Sequence, residues 1–307
     1  MAIEHASVQV VRKPWGVPDL RPWSNVDGSG GAVGELWFHR PDQAAPVSAL
    51  LLKLLFTSAP LSIQVHPDDA FARSIGLPNG KTEAWYILSA LPDARVAVGL
   101  KRRLSPDELR ASIRNGSIAD LVQWRPVIKG DVVFVPAGTI HAIGAGIVLA
   151  EIQQHSDATF RLYDYGRQRE LHEDNAVAVS EAGPVQVQSS SRRLSTERVL
   201  LTANPHFVLE RIDLLANTSW ALNTDRETWF LVLDGHAAIG LAAASVGEVI
   251  FIGDDRASIE VGATGFSGLI AYPGPDPIPS LLQDLAGHSI KPAPFPLAQF
   301  AEIEVRS

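Results

Sequence analysis

Cysteine is absent from all 307 residues, which removes both a disulfide framework and any thiolate metal site. A metal ion bound to this chain must therefore be held by imidazole, carboxylate or amide groups. Basic residues are also few relative to acidic ones: Lys plus Arg number 26 against 34 Asp plus Glu, for a formal net charge of −8. With no long basic run, a nucleic-acid or anionic-membrane surface is disfavoured, and an anionic ligand would need a local basic pocket. No stretch approaches the roughly 18 consecutive apolar residues of a membrane span. The first residues lack a basic segment followed by an apolar run, so a cytoplasmic protein is expected. What the chain does have is 46% hydrophobic residues, enough to fill the cores of two domains of ordinary size.

Short apolar and β-branched runs broken by Gly and Pro dominate the pattern, as in Gly130-Asp-Val-Val-Phe-Val-Pro136, Ile140-His-Ala-Ile143 and Ile147-Val-Leu-Ala-Glu-Ile-Gln153. This spacing predicts an all-β fold of jelly-roll type with a few helices. Ser105-Pro-Asp-Glu108 has the form of a capping box with Pro at the first helical position. Leu109, Ile113, Ile118 and Leu121 then supply an apolar face, so a helix is predicted up to about Trp124. Residues 67–73 read as a short capped helical turn and 170–182 as a second helix.

The polar, Ser-rich stretch 186–196 reads as a linker. It divides the chain into a first domain over 1–185, with a helical insertion at about 105–124, and a second over 197–275. The second repeats the first in outline: Glu227-Thr-Trp-Phe-Leu-Val232 parallels Glu83-Ala-Trp-Tyr-Ile-Leu88, and Gly247-Glu-Val-Ile-Phe-Ile252 parallels Gly130-Asp-Val-Val-Phe-Val135. Aligning the two glycines puts Ser258 where the first copy has His141. No Gln-x-His precedes Glu227, so the second barrel is expected to keep the shape without the metal ligands. A Pro-rich tail over 276–307, with a short helix predicted at 280–286, is expected to wrap the body in extended form or to be partly mobile.

The most informative stretch is Leu61-Ser-Ile-Gln-Val-His-Pro-Asp-Asp69. On a strand, alternation puts Ser62, Gln64 and His66 on one face and Ile63 and Val65 on the other. Glu83 opens the next β-like run, and His141 follows the tight Ala137-Gly-Thr turn. Each residue alone has an ordinary structural explanation. Together, Gln64, His66, Glu83 and His141 form a nitrogen and oxygen donor set for one divalent metal, with room left for water or substrate, as a catalytic site requires.

Lys13-Pro-Trp-Gly16, Gly34-Glu-Leu-Trp37, the stretch from Leu61 to Asp69, Gly80-Lys-Thr-Glu-Ala-Trp-Tyr86, Val135-Pro-Ala-Gly-Thr-Ile-His-Ala142 and Glu151-Ile-Gln-Gln-His-Ser-Asp-Ala-Thr-Phe-Arg-Leu-Tyr-Asp-Tyr-Gly-Arg167 resemble the motif set of type I mannose-6-phosphate isomerases, in their compact bacterial form. The resemblance is specific from about residue 10 to 180 and architectural beyond. It implies two cupin barrels and a zinc-dependent aldose–ketose isomerase acting on a small phosphorylated sugar. It places the zinc ligands on the same four residues, a catalytic arginine on Arg161 and an acidic catalytic residue on Glu151. It also implies substrate roles for Lys53, Ser62, Lys81 and Arg167. Phe38 and Ile143 depart from the family's usual residues, at positions outside the ligand set.

Isomerisation through an enediolate needs oxyanion stabilisation, which Arg161 can give, and a base that reaches C1 and C2, for which Glu151 is the first choice. Lys81 and Asp157 are the alternatives for ring opening, and Asp157 is counted among the substrate contacts. For the phosphate, Arg167 offers a bidentate fork, Ser62 a hydroxyl and Lys53 a charge. The competing explanation for Arg161 and Arg167 is a solvated edge, with Asp164 as ion-pair partner. Two other functions fit parts of the pattern: a cupin oxygenase using iron on a two-His, one-carboxylate face, and a sugar-binding cupin without turnover.

Overall fold

The strand Leu50–Thr57 is buried at all eight positions, and it explains much of the architecture. Such a continuous apolar run suits a strand covered on both faces. Leu50, Leu52, Leu54 and Phe56 join one core and Leu55 joins another, as a two-residue period demands. Lys53 shares the Leu55 face, a single cation on an otherwise uncharged strand.

The computed structural model describes residues 3–26, 30–42, 44–185, 191–253 and 255–285. As expected, the chain is mostly β with antiparallel sheets, and four helices occur among the described residues. Leu50–Thr57 lies inside a six-stranded sheet ordered Ser7–Val17, Val33–His39, Leu50–Thr57, Ile147–Gln154, Glu83–Ala90, Val132–Val135. A five-stranded sheet is ordered Phe160–Tyr163, Ile63–Val65, His141–Ile143, Arg95–Leu100, Val122–Pro126. The two share a core that includes Trp15, Leu61, Trp85, Val98 and Ile143. The other face of the six-stranded sheet packs Leu52, Leu54 and Ile152 against Phe207, Leu209, Trp229 and Phe251 of a ten-stranded sheet.

Register fixes which side chains become neighbours. Across the six-stranded sheet, Trp37, Lys53, Glu151, Trp85 and Val133 fall on one row. Across the five-stranded sheet, Arg161, Gln64 and His141 do the same.

The helices depart from expectation at their ends. Helix α1, Asp69–Ser74, is capped by Asp68, whose carboxylate accepts from Phe71 N, as the turn signal implied. The Ser105 capping box is present on α2, but α2 is only Pro106–Asn115, followed by α3, Ile118–Leu121. The single helix to Trp124 is thus corrected: Gly116 takes a left-handed φ of 78° that ends α2. Residues Val122–Pro126 then pair with Arg95–Leu100 as a strand, where Val122 is fully buried. Helix α4 covers Glu173–Val179, shorter than 170–182.

The helix predicted at 280–286 is also corrected. Leu282–Asp284 is a strand that pairs with Ser219–Asn223, whose open edge offers more hydrogen bonds than a one-turn helix could make alone. Residue 286 and the rest of the tail lie outside the described residues. So does 186–190 of the expected linker, while Arg192–Arg193 already pairs with Val199 and Leu200.

The matching motifs of the two halves pair one residue out of step: Trp229 pairs with Phe251, whereas Trp85 pairs with Val133. Ser258 pairs with Ala221 as His141 pairs with Gln64. Glu227, the counterpart of Glu83, accepts the backbone N–H groups of Ala49 and Leu50 at 3.0 and 3.1 Å, which pins the two halves together at the start of Leu50–Thr57. The strand Ile3–His5, from the start of the chain, pairs with Val249–Ile252 of the ten-stranded sheet.

Candidate metal centre and the cavity beside it

His66, Glu83 and His141 come from three strands or strand ends, and their ligand atoms lie within 4.8 Å of one another. His141 Nδ1 donates to Thr139 O at 2.8 Å, and His66 Nδ1 donates to Ala158 O at 2.8 Å. Each bond fixes the tautomer and leaves the Nε2 lone pair facing inward, the usual outer support of a metal-binding histidine. The Glu83 carboxylate lies between them, Oε2 at 3.3 Å from His66 Nε2 and Oε1 at 3.4 Å from His141 Nε2.

His66 Nε2 and Glu83 Oε2 are buried without a hydrogen-bond partner. An unsatisfied buried polar atom costs about 1–3 kcal/mol, so two of them aimed at one point fit a cation. Gln64 lies against this group. Its Oε1 accepts from Ser62 Oγ at 3.2 Å, and its Nε2 is 3.3 Å from His141 Nε2, so turning the amide over would present the oxygen as a fourth donor. The group fits a divalent metal.

Close backbone approach makes the cluster possible. Gly80 sits where a Cβ would come within 2.5 Å of the Asp68 carbonyl carbon. Its N–H donates to Asp69 Oδ1 at 2.8 Å, and Lys81 N–H donates to Pro67 O at 2.9 Å. The segment carrying Lys81 and Glu83 therefore lies directly on the segment carrying His66.

The charges suit metal binding too. Burial, reinforced by the Lys81 cation, pulls His66 down to about 3, and burial also lowers His141. Burial disfavours an ionised Glu83, but Lys81 and the two imidazoles outweigh it and hold the carboxyl well below its usual range. Burial likewise disfavours the Lys81 ammonium, yet the Glu83 and Glu151 carboxylates raise it above its ordinary value. At neutral pH the donor set is two neutral imidazoles and a carboxylate, the forms a metal needs.

A cavity of about 210 Å³ opens beside the cluster. Lys53, Ser62, Gln64, Lys81, Glu151, Asp157 and Arg161 line it, so the five- and six-stranded sheets both deliver their functional rows to one space. Lys53 is 2% exposed, with Nζ 3.5 Å from Glu151 Oε1 and 4.2 Å above the Trp37 ring. Burial lowers its basicity, as does the Lys81 charge. Burial and the Glu83 charge push the Glu151 carboxyl up to about 7, against the pull of Lys81 and Lys53. Trp85 Nε1 lies 3.1 Å from both Glu83 Oε1 and Glu151 Oε2, linking the metal cluster to that carboxyl.

Arg167 is placed differently. Its Nε donates to Asp164 Oδ1 at 3.0 Å and its Nη2 to Pro60 O at 2.7 Å, the ion-paired arrangement weighed above, and it does not line the cavity. Arg169, which the motifs did not single out, lines it instead, held by a forked pair of 2.6 Å bonds to Asp164. Lys13 and Glu35, 3.4 Å apart, form a further wall. Their motifs, Lys13-Pro-Trp-Gly16 and Gly34-Glu-Leu-Trp37, helped carry the resemblance in the sequence, but neither Lys13 nor Glu35 was given a role at a site.

Fold and site together define an antiparallel β protein with a buried His-Glu-His group suited to one divalent metal. No protein-family model matches the chain. It is similar to "Mannose-6-phosphate isomerase" of Streptococcus mutans, 39% identical over 171 residues, 53% of this chain and 54% of that protein. It is also similar to "Mannose-6-phosphate isomerase ManA" of Bacillus subtilis, 36% identical over 184 residues, 56% and 58% of the two lengths. The chain thus spans little more than half the length of the curated relatives it matches. Among solved structures, mannose 6-phosphate isomerase from Bacillus subtilis superimposes with a TM-score of 0.76 at 24% identity, over 89% of this chain and 100% of that one. A phosphomannose isomerase mutant from Salmonella typhimurium gives 0.71 at 15% identity, over 89% and 100%. The resemblance read from the motifs is borne out: the chain has mannose-6-phosphate isomerases as relatives in sequence and shares their fold.

Proposed function

We propose that this protein interconverts mannose 6-phosphate and fructose 6-phosphate by moving a proton between C2 and C1 through an enediolate. Gln64, His66, Glu83 and His141 would hold the metal, zinc on this reading, which when bound supplies Lewis-acid polarisation of sugar oxygens. Glu151 acts as the base that carries the proton, because a carboxyl poised near neutrality can both take and return it. Lys53 beside it keeps the ionised form paired. Arg161 holds the enediolate oxygen, since a guanidinium stabilises the charge without protonating it. Lys81 and Asp157 serve ring opening. Ser62, Arg169 and Lys13 offer donors for the phosphate, with Arg167 behind them through Asp164.

The reading is supported above all by the arrangement of Lys53 and Glu151 on one sheet and Arg161 and Gln64 on another around one small cavity beside the His-Glu-His group. Catalysis is assigned to the first 185 residues, with residues 197–275 as a supporting barrel, and the protein to the cytoplasm. The test is conversion of mannose 6-phosphate to fructose 6-phosphate by the purified chain, in air and under argon, with free mannose alongside. Equal rates with and without oxygen are expected. Turnover that requires oxygen would favour the oxygenase, and sugar binding without turnover the non-catalytic cupin.

A further inference from the structure

Helix α4 begins after His172, where Ser, Thr, Asp or Asn would ordinarily turn a side-chain oxygen onto the free N–H groups of its own helix. His172 makes no such bond. Its Nδ1 accepts the backbone N–H of Arg161 at 3.0 Å, and its own N–H donates to Arg161 O at 2.8 Å. Two residues earlier, the Glu170 carbonyl accepts from Arg161 Nη1 at 2.8 Å. One short segment therefore holds both the backbone and the guanidinium of a single cavity residue. Arg161 Nε is buried and makes no hydrogen bond of its own.

The segment is braced from outside. Glu173, the first residue of α4, receives Arg110 at 2.9 Å and Arg114 at 2.8 Å, both from α2. The Phe160 ring lies 6.2 Å from that of His172. A helix cap has been given up, and the group that could have made it is turned toward the cavity wall.

We infer that His172 is a positioning residue for Arg161. With its proton on Nε2, its Nδ1 accepts the Arg161 N–H and, with the Glu170 carbonyl, sets the line along which the guanidinium enters the cavity. The catalytic consequence rests on the isomerase reading above; the geometry does not.

Asn and Gln separate this role from simple packing. The Asn oxygen falls near the place of Nδ1, whereas the Gln amide reaches one bond farther, near the place of Nε2. In the metal-loaded full chain, His172→Gln should lower kcat about 10- to 100-fold, as a displacement of about 1 Å does, with KM within about threefold and metal content unchanged. His172→Asn should stay within about threefold of the parent. Equal rates for the two variants, or a Gln variant as fast as the parent, would overturn the inference.

A second readout does not need turnover. The Nε–H signal of Arg161 in proton–nitrogen NMR spectra, assigned with Arg161→Lys, should exchange slowly in the parent and the Asn variant and fast in the Gln variant. A protected signal in all three removes the positioning role. A signal that behaves as stated in a protein without isomerase activity leaves the positioning intact and refutes the functional reading instead.

Discussion

A guanidinium has no proton to give near neutral pH, whereas a carboxyl held near neutrality can give and take one. That difference separates the role proposed for Arg161 from the one proposed for Glu151. Arg161→Ala should lower kcat about 100- to 1,000-fold, the cost of losing one oxyanion donor, with the metal retained; an unchanged kcat would refute the role. Glu151 is raised from 4.5 to about 7, so only above that pH is it mostly the ionised base. The profile of kcat/KM should therefore fall about tenfold per unit below about pH 7 and level off above, and Glu151→Gln should abolish that limb along with most of the rate. The sign for stability is opposite. A carboxyl whose folded value exceeds its unfolded one favours the fold at low pH, and loses that contribution as pH rises through about 7.

Arg167 and Arg169 can be told apart in the same way. Arg169→Ala should raise KM for mannose 6-phosphate about tenfold, the order of one charge-assisted contact, and Arg167→Ala should raise it less. Equal effects would place both at the phosphate. The motif singled out Arg167, whereas Arg169, two residues on, lines the cavity. Tyr165, Gly166 and Gln168 all adopt positive φ there, and no strand or helix period predicts which side chain such a turn sends inward.

Among the elements, what could be read from the sequence was what obeys a period. Alternation along Leu61 to His66 put Ser62, Gln64 and His66 on one face, and Ser62 Oγ indeed lies 3.2 Å from Gln64 Oε1. The capping box at Ser105 set the start of α2, but its end depended on Gly116, a residue that a helical period passes over. The strand Leu282–Asp284 was misread as helix because its partner edge, Ser219–Asn223, lies some sixty residues away. Gly80 was visible only as part of a motif; its reason is the approach of two backbones. Gly80→Val should destabilise the protein by about 1–3 kcal/mol through overpacking. Because it moves Lys81 and Glu83, it should also weaken metal binding measured by competition with a chelator. Unchanged metal affinity in a folded Gly80→Val protein would show that the approach does not support the cluster.

At the scale of the whole molecule, three sheets enclose the site from one side and brace it from the other. The strand Leu50–Thr57 serves both: its Lys53 face lines the cavity, while Leu52, Leu54 and Phe56 pack toward the ten-stranded sheet. The paired glycine and glutamate motifs of the two halves were legible in the sequence. The pairing of Ile3–His5 with Val249–Ile252 was not, because the hydrophobic pattern of three residues says nothing about a partner so far along the chain. Among the described residues no helix is long and apolar enough to cross a membrane. All of this structure converges on one His-Glu-His group beside a cavity of about 210 Å³. The most direct measurement is metal stoichiometry against isomerase rate as zinc is returned to chelator-treated protein, for the parent and for His141→Ala. One ion per chain with rate rising in proportion to occupancy, and neither binding nor rate in His141→Ala, is the predicted result; full turnover in metal-free protein would contradict it.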